Sequence, residues 1–195
     1  MRSPLERPWS AMDMRSRVRG ESIEEIADRK FYRRFDARGS RLRTVYSRTL
    51  ENWGASYPAE QIFVGFIEDI HFNPEELLRS VYGFLGVDAA FQPPTPDKKV
   101  HSRSADTMPT RLAAHLARTY QDELARLEEV FGGYTSFWRY CGTRLSEGAF
   151  DDERIAYPLW DSSLWEEWRA SEQGPAGTRE VGLQSGPLSS LQAVR

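Results

Sequence analysis

Along this 195-residue chain the apolar positions form one unbroken run and several helical stripes. The run, residues 62–67 (Ile62, Phe63, Val64, Gly65, Phe66, Ile67), has no polar alternation. That is how a strand reads when both of its faces are covered, as in a parallel sheet. Directly after it, Asn73 offers an N-cap oxygen, Pro74 suits the first helical position, and Glu75 and Glu76 place negative charge on the first turn. Leu77, Leu78, Val81, Phe84 and Leu85 then recur at helical spacing, and Gly86 supplies a left-handed stop. The pattern predicts a strand, an acidic turn at Glu68 and Asp69, and a buried helix.

Three further helices follow from the same periodicity. Residues 22–36 carry Ile23, Ile26, Ala27, Phe31 and Phe35 near one face, with Ser22 and Glu25 spaced as a capping box. Residues 40–54 align Leu42, Val45, Tyr46, Leu50 and Trp53. Residues 110–131 set Leu112, Leu116, Tyr120, Leu124, Leu127 and Phe131 three or four apart, and Gly132 and Gly133 end them. Two Trp-rich pieces, around Trp160 and over 164–168, predict a short aromatic helix against the core. From about Ser171 onward Gly, Ser, Pro and Gln dominate without period, which predicts disorder. The domain plan is one body over 1–168 and a disordered tail over 169–195.

Composition narrows the function classes. The length allows one domain with a real core. The formal net charge is −3, but residues 1–50 hold 13 Lys/Arg against 7 Asp/Glu, a net of +6 that leaves −9 for the rest. Arg15, Arg17 and Arg19 are followed by interleaved acids with no recognition motif, so nucleic acid is not an expected partner. A lone cysteine, Cys141, precludes an intrachain disulfide or a Cys-based zinc site, and His71, His101 and His115 have no ligand spacing, so no metal is expected. No apolar run approaches a membrane span, and the start lacks a hydrophobic leader core, which makes a cytoplasmic location the expectation.

The order of features over residues 46–86 is more specific than any one of them. Tyr46, Leu50, Trp53, Tyr57-Pro58, the apolar run, Glu68-Asp69, Asn73-Pro74 and Phe84-Leu85-Gly86 together resemble a late segment of sulfotransferases that use 3′-phosphoadenosine 5′-phosphosulfate (PAPS). The first ten residues are similar to that family's 3′-phosphate segment, with Arg2 and Ser10 eight positions apart as its phosphate-binding Arg and Ser are. A guanidinium grips two oxygens and a hydroxyl donates a further bond. Locally the same residues read as a helix start, with Ser3 as N-cap, Pro4 at the first position and Glu6 closing a capping box. Arg7 is expected on another side of that helix from Ser10.

The resemblance implies an α/β fold: a P-loop-like sulfotransferase domain, truncated at its N-terminus, with helices around one or two remaining parallel strands. It implies transfer of a sulfuryl group from PAPS, as co-substrate, to a hydroxyl or amine of a small-molecule or carbohydrate acceptor. The cofactor-binding residues it assigns are Arg2 and Ser10, and the basic loop over 98–103 is a further candidate. No catalytic base can be carried over. Glu68 reads better as a structural acceptor at helix N-termini than as a base, and Tyr46 as core rather than substrate contact. No Gly/Thr/Ser-rich 5′-phosphosulfate loop occurs in these residues. The alternative is a non-catalytic helical interaction protein derived from such a domain.

Overall fold

The computed structural model describes residues 1–91, 93, 105–148, 153–171 and 182–192. The protein is mostly helical. It divides into two compact units: the first comprises Met1–Arg2, Arg48–Ser102 and Gly177–Arg195, the second Ser3–Ser47 and Arg103–Ala176. In chain order the helices and strands begin with α1 (Arg7–Val18), α2 (Asp28–Phe35), α3 (Arg38–Thr44) and α4 (Tyr46–Gly54). Next come β1 (Phe63–Val64), α5 (Ile67–Phe72), α6 (Pro74–Leu85), β2 (Thr107–Pro109), α7 (Thr110–Thr119) and α8 (Gln121–Phe131). The remainder are α9 (Tyr134–Ser146), β3 (Arg154–Ala156), α10 (Ser163–Ala170), β4 (Gly186–Pro187) and α11 (Leu188–Gln192).

In the first unit, helix α6 starts and stops as its residues predict. Pro74 holds the first position, and Gly86 lies at φ 67°, the left-handed conformation that glycine adopts at little cost. Asn73 does not cap it; its side-chain amide donates to Asp69 at 3.2 Å.

The expected parallel strand over 62–67 is not what forms. Only Phe63–Val64 is strand, and it pairs antiparallel with Pro187 and Gly186. The ladder ends early because the Phe66 N–H goes to the Ser185 hydroxyl at 2.9 Å and Ile67 already opens α5. Parallel strands are thus corrected to two small antiparallel sheets, β1 with β4 and β2 with β3, among the described residues. One contact has the parallel pattern. The Met1 nitrogen donates to the Gly65 carbonyl and the Met1 carbonyl accepts the Ile67 N–H, bonds that straddle Phe66 as a parallel neighbour's do.

The disordered tail is also corrected over 182–192. Leu188 is buried and its N–H donates to the Ile62 carbonyl at 2.8 Å, so β4 and α11 belong to the body of the first unit. Composition alone missed this, because what orders the segment is hydrogen bonding to residues over a hundred positions away.

The second unit is built on α7, α8 and α9, with α9 packed against both others. Gly142 permits that approach: a Cβ there would stand 2.6 Å from the Leu124 Cδ1. Phe137 meets Trp165 edge-on at 4.7 Å, and Trp9 stacks on Phe31 at 5.3 Å, so the aromatic C-terminal helix does cover the core. Each of the three long predicted helices is broken once. Ile26 and Ala27 are extended ahead of α2. Val45 separates α3 from α4, where Glu123 takes the Ser47 N–H and hydroxyl at 2.9 and 2.6 Å and so starts a new helix. Tyr120 divides α7 from α8.

Candidate functional site

The acids at the end of β1 are both fully buried. The Asp69 carboxylate accepts the Ser185 N–H at 2.7 Å, the Ser185 hydroxyl at 2.5 Å and the Gln184 N–H at 3.1 Å, besides the Asn73 amide. A buried carboxylate with this many donors is held by them in one geometry. Asp69 therefore clasps the returning C-terminal segment, a structural office of the kind the sequence favours for Glu68. Glu68 lies beside the Met1 amino group, whose pKa is lowered by burial and partly restored by that carboxylate.

In the second unit, α1 begins one turn after Ser3. The Ser3 hydroxyl accepts the Leu5 N–H at 3.3 Å and its carbonyl the Arg7 N–H at 2.9 Å, but α1 starts at Arg7 with Glu6 as its N-cap residue, so Ser3 fixes the turn before the helix and is not its N-cap, and Pro4 does not hold the first helical position. The Glu6 carboxylate accepts the Leu159 N–H at 2.7 Å. Ser10 lies on α1 and is half-buried. Arg7, three positions earlier on the same helix, is its neighbour rather than on another side, since residues three apart adjoin on a helix surface. The expectation for Arg7 was wrong, and the spacing alone would have corrected it.

Arg7 is half-buried, and Nη1 donates to the Thr44 hydroxyl at 3.4 Å. Burial lowers its pKa, with Tyr46 opposing and Arg43 assisting. Tyr120, 3 % exposed, has its pKa raised by burial, with the nearby Thr44 side chain opposing, and its hydroxyl has no hydrogen-bond partner among the described residues. Arg7, Thr44, Tyr46 and Tyr120 thus form a partly buried polar cluster in the second unit. A half-desolvated guanidinium there can receive an oxyanion more strongly than one in water.

Of the residues assigned by resemblance, Arg2 is half-buried in the first unit and Ser10 belongs to the second. The 98–103 loop lies outside the described residues. Tyr46 is half-buried in the second unit. No group of three or more His, Cys, Asp or Glu that could hold a metal ion occurs among the described residues, and no helix there is long and apolar enough to cross a membrane. Comparison with models of known families, with curated proteins and with solved structures finds no match.

Proposed function

We propose that the chain carries part of a PAPS-dependent sulfotransferase domain with a P-loop-like fold, acting on a hydroxyl or amine of a small-molecule or carbohydrate acceptor. The observation that carries this reading is the unit around β1. Met1, next to Arg2, is hydrogen-bonded beside Phe66 in the parallel manner, and the apolar run leads into two buried acids and a Pro-opened helix. The order agrees with the segment that the sequence resembles. The donor nucleotide supplies the sulfuryl group; Arg2 and Ser10 are assigned to its 3′-phosphate by resemblance, and Arg7 joins them as Ser10's neighbour on α1.

The test is a thermal-shift titration with adenosine 3′,5′-bisphosphate against AMP, which lacks the 3′-phosphate. A ligand specific to the folded state stabilises it by about 2.7 kcal/mol at a hundredfold excess over Kd. The bisphosphate is expected to give the larger shift, and Arg2→Ala, Ser10→Ala and Arg7→Ala are each expected to reduce the difference, whereas Arg79→Ala on α6 leaves it unchanged. By itself the 195-residue chain is expected to transfer no radiolabelled sulfate, since it contains no phosphosulfate loop and charge stabilisation at the reacting group is the largest catalytic contribution. Equal shifts from the two nucleotides would favour the second reading, a non-catalytic interaction protein. Ile70, Leu85, Val87 and Phe91, all exposed in the first unit, support that one.

A further inference from the structure

The last turn of α1 and one face of α2 enclose a cavity of about 290 Å³ in the second unit. Arg15, Arg19, Lys30, Arg33 and Arg34 line it, with Glu21 the lone acid among the described lining residues. Arg15 and Arg19 are one helical turn apart, and Lys30, Arg33 and Arg34 are spaced by three and four, so each set lies on one helix face. We propose that this cavity binds a small organic molecule bearing several phosphate or sulfate ester groups. The proposal does not depend on Arg2, Ser10 or Arg7, and none of these lines the cavity.

The cations are clustered although acids lie close in sequence. Glu24, Asp28 and Asp36 are the natural partners for α2, but each is engaged elsewhere. Glu24 pairs with Arg154 at 3.6 Å, Asp28 accepts two bonds from Arg111, and Asp36 meets both Arg41 and His115 at 3.2 and 3.1 Å. None of the five cavity cations makes a salt bridge to a described carboxylate. Charge at helix C-termini accounts for some of this, since cations there complement the backbone dipole. Two helix ends call for about one or two cations each, and the effect decays within a turn, so five converging on one cavity exceed it. Like charges held together repel, and an oxyanion ligand removes that cost while accepting paired guanidinium bonds.

Size and floor narrow the ligand. Met12 is buried and Ile26 half-buried beneath the cationic rim, so carbon skeleton as well as charge has somewhere to rest. The volume is near the lower end of small-molecule sites, roughly 300–1,000 Å³. A cupped site of this size suits a compact polyanion rather than the extended backbone of a nucleic acid, which is tracked along an open groove.

The experiment is isothermal titration of the full chain at low salt with three probes: inorganic tripolyphosphate, a fully sulfated heparin disaccharide and its unsulfated counterpart. Either anion is expected to bind, with affinity falling as salt rises, and the unsulfated sugar is not. Preference for tripolyphosphate assigns phosphate esters, and preference for the sulfated sugar assigns sulfate esters. Arg33→Gln with Arg34→Gln is expected to weaken binding about tenfold or more, equivalent to about 1.4 kcal/mol. Arg79→Gln on α6 is expected to change it less than about twofold. Both Arg33 and Arg34 are exposed, and circular dichroism checks the fold; Arg15→Gln with Arg19→Gln repeats the test from the other helix. The bisphosphate-over-AMP difference is expected to survive Arg15→Gln with Arg19→Gln, because Arg15 and Arg19, unlike Arg34, do not act on Arg7, and this separates the cavity from the nucleotide reading. No binding of either anion, equal loss with Arg79→Gln, or tighter binding of a 12-residue oligodeoxynucleotide than of both small anions overturns the proposal.

Discussion

Helices α6 and α9 are nearly equal in length, and by pattern α6 is the more amphipathic, yet none of its residues is buried whereas seven of α9's are. The first unit follows α6: Leu85 is 62 %, Ile70 58 % and Phe91 57 % exposed. In the second, Leu112, Leu116, Leu124 and Trp138 are each 0 % exposed. Periodicity states which face of a helix is apolar, but burial requires a second surface to cover it. Among the described residues the second unit therefore closes over a large apolar core, whereas the first buries the apolar side chains of Val64, Phe66 and Leu188 and adds the Asp69 clasp.

The largest effect expected from that difference is at Trp138. Trp138→Ala opens a cavity in a closed core and is expected to cost about 3–5 kcal/mol. Leu85→Ala removes a side chain already in water and is expected to change stability by less than about 0.5 kcal/mol. Urea unfolding measures both. A Leu85→Ala cost comparable to that of Trp138→Ala would abolish the contrast.

Asp69 sharpens it from the other side. Asp69→Ala removes the acceptor for the Ser185 N–H and hydroxyl and the Gln184 N–H, and loss of charge-assisted buried bonds is expected to cost about 2–3 kcal/mol. The damage should be local. Hydrogen exchange is expected to quicken over residues 184–188 while α9 stays protected, and uniform quickening would mean that the clasp is not what orders this segment.

How much of this was legible follows from the range of the interactions. The boundaries of α6 were readable because Pro74 and Gly86 act on their own backbone. Breaks at Val45 and within 182–192 were not, because Glu123 and Asp69 supply bonds from 76 and over 110 positions away. Glu6 shows the same reach: its spacing suited a capping box, and its carboxylate accepts an N–H from Leu159, 153 positions away. The basic cavity was hidden by its own acids, which look interleaved in sequence and turn to Arg154, Arg111 and Arg41 in space. Of the proposed nucleotide residues, Arg2 and Ser10 came from a resemblance in order, and Arg7 from helix geometry.

The smallest expected effect is alkaline and falls on the second unit. Tyr120, at the break between α7 and α8, has its pKa raised by burial, only partly offset by the nearby Thr44 side chain and by Arg41 and Arg7, and its buried hydroxyl has no hydrogen-bond partner among the described residues. The folded state thus holds this proton more tightly than the unfolded chain does. Its contribution is fully present below the unfolded value and is lost as pH rises from about 10 through the folded value. One proton sets the limit, about 1.4 kcal/mol per pH unit at the steepest. Lysines and other tyrosines titrate in the same range, so the informative quantity is the difference between the wild type and Tyr120→Phe, which keeps the ring. Above pH 10 the wild type is expected to lose stability faster than Tyr120→Phe, with hydrogen exchange over α7 and α8 accelerating before that over α6. Parallel pH profiles for the two proteins would show that the Tyr120 hydroxyl reaches water as freely as the exposed side chains of the first unit do.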